Sequence, residues 1–171
     1  MKISTFILIL LILIGGCLLI GSLLAQDFTY VGSAKCQICH RTEYQGQQYP
    51  LWQKSEHAAS FQDLSTPQAQ KLAADAPTNP QCLACHAPLT DKAPELKAEG
   101  VTCEVCHGPG SEYKKLSLMK NKEEAIKNGL ILYANTEAIK AKCLKCHQNA
   151  HNKIFDFAAS WDKIKHAAPP K

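Results

Sequence analysis

Eight cysteines fall into four pairs, Cys36/Cys39, Cys82/Cys85, Cys103/Cys106 and Cys143/Cys146, each with two residues between its members. Each pair is followed at once by a histidine: His40, His86, His107 and His147. Two thiols at this spacing can reach the two vinyl groups on one edge of a porphyrin and form thioethers, while the next residue offers its imidazole to the iron. Zinc knuckles would use two pairs per metal and leave the four adjacent histidines unexplained. A thioredoxin-like redox pair would need one such motif inside a βαβ pattern, and no such pattern surrounds these. The spacing therefore predicts four covalent haem c groups, with His40, His86, His107 and His147 as proximal iron ligands.

The other face of each iron is harder to assign. Seven histidines in all leave three outside the motifs, His57, His151 and His166, to serve four irons. His57 stands beside Ala58 and Ala59, small enough to let a porphyrin approach, with Trp52 and Phe61 to pack on ring edges. His166 falls near the end of a C-terminal amphipathic stretch, close to Trp161 and Ile164. His151 follows His147 by four positions, so on a helix the two imidazoles point the same way and His151 would reach a neighbouring haem rather than its own. The alternative for His151 is an exposed or propionate-bonding side chain. Met119 is a further distal candidate, and a His/Met pair would raise the reduction potential; its other reading is an ordinary packing residue. Tyr113 can ligate haem iron in principle, but a hydrogen bond or ring packing is the simpler expectation.

The elements that must position these residues are short. Pro50 suits the first turn of a helix over LWQKSEHAASF. Ser65-Thr66-Pro67 opens another, to about Ala74, and DAPTNPQ reads as a loop into the second motif. Asn121 with Glu124 forms a capping pattern for a helix ending at Gly129. A further helix runs from about Thr136 into the fourth motif, and FDFAASWDKIKH reads as a final amphipathic helix. A short strand is conceivable only at Leu130 to Ala134. The fold class is mainly α: a multihaem cytochrome c fold, with short helices and extensive loops wrapped around four covalent haems. Apolar residues come in small clusters, so the porphyrins themselves are expected to be the core.

The chain has 171 residues and a formal charge of +4. Its apolar run from Ile3 to Ala25 reads as a targeting segment, either a signal peptide or an N-terminal membrane anchor over 1–25. Lipidation at Cys17 is a minor alternative. The tetrahaem domain then covers 26–171, outside the cytoplasm: in the periplasm, on the outer face of the cytoplasmic membrane, or extracellular. The charge is too mild, and too little clustered, for a nucleic-acid partner. Eight propionates would outweigh it, so docking by charge concerns the haem-loaded protein.

These motifs, with WQKSEHAASF between the first two, GVTCEVCHGPG at the third and FDFAASWDKIKH at the end, resemble the tetrahaem cytochrome c-554 family over nearly all of 26–171. The resemblance implies that His57 ligates the third-motif haem with His107, and that His166 ligates the fourth with His147. It further implies a five-coordinate haem on His86, and for the first haem a histidine shortly after Gly-Pro-Gly. This chain has none between Gly108 and Cys146. His151, Met119 or a partner chain are the remaining ways to complete the haem on His40.

The expected function is electron transfer along closely spaced haems, with redox proteins or membrane quinol-linked donors as partners. Two other classes stay open. An open iron at His86 could reduce nitric oxide or a similar small ligand, or self-association could make the chain a subunit of an extracellular cytochrome filament.

Overall fold

The computed structural model describes residues 27–148 and 153–167. The 1–25 segment, Cys17 and His151 lie outside the described residues. In chain order the helices are α1 (Gln37–His40), α2 (Gln48–Gln53), α3 (Glu56–Asp63), α4 (Pro67–Leu72), α5 (Pro80–His86), α6 (Cys103–His107), α7 (Leu116–Met119), α8 (Lys122–Lys127), α9 (Thr136–His147) and α10 (Phe157–Ile164). Two 3₁₀ turns, Ser33–Lys35 and Pro94–Glu99, complete them. The class is mainly α, and among the described residues there is no strand, so the strand expected at Leu130 to Ala134 is not formed. That segment instead docks singly, through Ile131 N–H to the His107 carbonyl (2.9 Å) and Tyr133 O–H to the Cys106 carbonyl (2.9 Å).

Side-chain caps set half of the helix starts. The Thr66 hydroxyl accepts from Ala69 N–H, Asn79 from Gln81, Asn121 from Glu123 and Glu124, Asn135 from Ala138, and Asp156 from Ala159. Each satisfies a donor that a first turn leaves without an intrahelical acceptor. The single helix expected over LWQKSEHAASF is two. α2 begins at Gln48, with Pro50 as its third residue, where a missing N–H is still harmless. It stops at Lys54, and Ser55, extended at φ −84° and ψ 156°, starts α3 afresh. The Ser55 hydroxyl donates back to the Trp52 carbonyl (2.6 Å) and seals the break.

The protein's own core is small. Among the described residues the buried apolar ones are Leu64, Ala76, Ala87, Leu89, Ala93, Tyr113 and Ala125, most of them alanines. The largest fully buried side chains are polar: Glu104, Thr102 and Ser33. Glu104, 2% exposed, is a junction of the fold. Its carboxylate accepts from Gly32 N–H (2.8 Å), Val31 N–H (3.0 Å) and Gly110 N–H (2.6 Å), tying the segment before the first motif to the turn after the third. Tyr113 closes that turn, its buried hydroxyl donating to the Gly108 carbonyl (3.0 Å).

A second junction lies where α3 packs on α5 and on the turn Pro94–Glu99. The buried Ser60 hydroxyl sits 2.8 Å from both the His57 and His86 carbonyls and accepts from Val101 N–H (3.1 Å). Gly100 makes this approach possible. A Cβ there would lie 2.5 Å from the Ser60 hydroxyl and 2.6 Å from the His57 carbonyl, and its φ is +67°.

Candidate functional site

All four Cys-x-x-Cys-His motifs are helical, and the helices α1, α5, α6 and α9 each end on the motif histidine. On a helix, residues three apart share a face. Each cysteine pair therefore presents two sulfurs side by side, with the imidazole at the point where the helix stops.

Tertiary structure then brings different motifs together. The Cys36 thiol hydrogen-bonds that of Cys103, which joins the first motif to the third. Cys85 hydrogen-bonds Cys146, joining the second to the fourth. Cys143 acts electrostatically on Cys106, which sets the fourth motif near the third. The motifs thus run first, third, fourth, second in space, an order unlike that of the chain.

Two candidate distal histidines face motif histidines. The His57 and His147 rings have centroids 6.1 Å apart, inclined at 52°. The His107 and His166 centroids are 5.9 Å apart, at 46°. With imidazole–metal bonds of about 2.0–2.1 Å on each side, two rings sharing one metal sit about 6 Å apart. The partners are exchanged relative to those the resemblance implies: His57 meets His147, not His107, and His166 meets His107, not His147. The reason is the end of α10. The helix stops at Ile164 and the chain turns extended at Lys165, carrying His166 off the helix and toward α6. Phe155 meanwhile stacks on His147, with centroids 4.6 Å apart and planes at 16°.

Burial, the first cause in each case, holds the imidazoles of His57, His107, His147 and His166 below the usual histidine range. Neutral rings keep a lone pair for a metal. Hydrogen bonding from Cys36 to Cys103, then burial, pushes the Cys36 thiol up. Burial alone leads at Cys106 and at Cys143, and it takes Cys146 to about 11. His40 adds to the lowering at both His107 and His166, which places it beside that pair. His86 donates from Nδ1 to the Ser60 carbonyl (2.8 Å), which makes Nε2 its lone-pair nitrogen.

The residues present fit haem c on three counts: the paired sulfurs with neutral imidazoles, the sparse apolar core, and Thr102. The Thr102 hydroxyl, next to Cys103, is buried without a hydrogen-bond partner in the protein. Of the other candidates, Met119 is half-buried at the end of α7, and Tyr113 is engaged with the Gly108 carbonyl. Three residues carry site structure that no spacing rule singles out: Glu104, Ser60 and Gln48. Only Glu104 left a trace in the sequence, as a carboxylate set between the motif cysteines beside a Gly-Pro-Gly turn.

Residues 35–108, which hold the first three motifs, match the family described as cytochrome c554 and c-prime. Cytochrome c-554 of Nitrosomonas europaea is 26% identical over 150 residues, covering 75% of this chain. The matched region spans 62% of that relative's length. No solved structure matches the chain.

Proposed function

We propose that the chain, which is similar to cytochrome c-554 over its first three motifs, is a member of that family and carries electrons between redox partners over four covalently attached haem c groups. The observation that carries the reading is the nearness of different motifs: Cys36 hydrogen-bonds Cys103, Cys146 hydrogen-bonds Cys85, and Cys143 acts electrostatically on Cys106. Haem iron supplies a reversible one-electron couple. The chain's own residues do the rest. Cys36 and Cys39, Cys82 and Cys85, Cys103 and Cys106, and Cys143 and Cys146 hold the groups. His40, His86, His107 and His147 are the proximal ligands, and His57 and His166 serve as distal ligands opposite His147 and His107. Two rigidly held imidazoles on one iron leave little to rearrange when its charge changes.

On this reading an electron travels between the first-motif and second-motif ends by way of the third and fourth. Ile38, between the cysteines of the first motif, is 76% exposed, which supports that end as a meeting point for a partner. Redox proteins or quinol-linked donors outside the cytoplasmic membrane are the partners proposed. The apolar 3–25 segment supports that location, and among the described residues no helix is long and apolar enough to cross a membrane.

The test combines the mass of the purified holoprotein with a haem assay. Four haems per chain are expected, with one thioether-linked group on each motif peptide. Two haems, or bound zinc, overturn the reading.

A further inference from the structure

We propose that Gln48 is a positioning residue for the first-motif histidine, orienting His40 and linking it to the segment that carries His166. The inference rests on the reading of His40 as an iron ligand, and deepens it.

Gln48 is 9% exposed, at the start of α2. Its side-chain amide nitrogen faces two main-chain carbonyls, those of Gln45 and Ala167, the latter at 2.7 Å. Both can only accept, so both amide hydrogens are committed, and the amide cannot be turned over without setting oxygen against oxygen. That fixes Oε1 as the atom facing His40 Nδ1, 3.3 Å away. An amide oxygen has no proton to give, so Nδ1 must carry the hydrogen and Nε2 the lone pair. Nε2 is the nitrogen a motif histidine needs for iron. The arrangement is built by the backbone: Gln47, the cap residue before Gln48, is left-handed at φ 51°, a conformation that non-glycine residues rarely adopt.

The same side chain reaches the other neighbourhood of the site. Ala167 directly follows His166, whose ring lies 5.9 Å from that of His107. One amide therefore spans the histidine of the first motif and the strap carrying the candidate distal ligand of the third. A hydrogen bond that a ligating histidine gives through its second nitrogen orients the ring and raises its basicity, which favours oxidised iron.

Two variants separate the two roles. Gln48→Leu removes acceptor and donors together. Gln48→Glu keeps an acceptor on His40 but sets an oxygen against the Ala167 carbonyl. In the holoprotein, Gln48→Leu is expected to raise the reduction potential of one haem and to speed solvent exchange of one histidine Nδ1 proton seen by NMR. Gln48→Glu is expected to lower that same potential and preserve the slow proton, while disturbing the axial ring signals of the His107/His166 site. Unchanged potentials and exchange in both variants, or a shift in the same direction in both, overturns the role of Gln48. Mass analysis of the Cys36–Cys39 peptide keeps the two claims apart. Haem on that peptide with unchanged potentials removes Gln48 alone, whereas a bare peptide removes the reading of His40.

Discussion

The four motif histidines stand at identical places behind their cysteines, yet what faces their second nitrogen differs. His86 meets a main-chain carbonyl, that of Ser60, whereas His40 meets a side chain that substitution can change. The distal partners differ as well, and here replacement gives a direct test. His57→Ala is expected to convert one low-spin haem to high-spin, and NMR should assign the altered group to Cys143 and Cys146. An altered group on Cys103 and Cys106 would instead restore the pairing that the family resemblance implies. Glu104→Gln should weaken the fold by about 2 kcal/mol, since it removes a charged acceptor from several buried N–H groups and turns a donor toward them. Denaturant unfolding of the holoprotein measures it, and a loss within error of zero would remove Glu104 as a junction. At this scale the pairing of two sulfurs and an imidazole at each helix end was legible, because the Cys-x-x-Cys-His spacing is local. Which histidine meets which was not, because four identical motifs offer four equivalent partners and only distant packing chooses.

Short helices stay in place here through single polar contacts rather than broad apolar faces. The junction of α3, α5 and Gly100 shows how narrow the tolerance is. Gly100→Ala meets both the Ser60 hydroxyl and the His57 carbonyl from a left-handed backbone, and should cost about 2 kcal/mol or more. Thermal unfolding should show it together with a spectral change at the His57 site. The docked segment around Tyr133 titrates instead. Burial leads in raising its phenol to about 12. The folded state thus keeps a proton that the unfolded chain releases near pH 10. The contribution is whole below that pH and is lost as pH rises from about 10 toward 12. Tyr133→Phe should flatten this alkaline loss in stability measured against pH, and an unaltered profile would show that Tyr133 takes no part. Caps at Thr66 and Asn121 were readable because they act over three residues. The break at Lys54 and Ser55 was not, because nothing in LWQKSEHAASF opposes a continuous helix until the Trp52 indole donates to the Val101 carbonyl (2.8 Å) and α2 is held apart from α3.

Taken whole, the molecule has a mild positive sequence charge of +4, and its described residues bury few apolar side chains. Eight propionates would reverse its sign, so the reduced holoprotein should migrate as an anion at pH 7 in native electrophoresis; migration as a cation would argue for fewer haems. Its mainly α class was legible from the short helical segments, and the small set of buried apolar residues from sparse apolar clusters. The spatial order of the motifs was not, since it is set by contacts between residues far apart in the chain, such as Cys36 with Cys103 and Val31 with Glu104. That order has a consequence for how the protein could be divided. A cut between the second and third motifs looks natural on paper, yielding two equal halves with two anchors each. The first half would carry both ends of the series, each without its neighbour, and the second half would keep the two middle anchors and neither end. The chain is therefore not a tandem of two-anchor modules, and neither half is a smaller version of the whole.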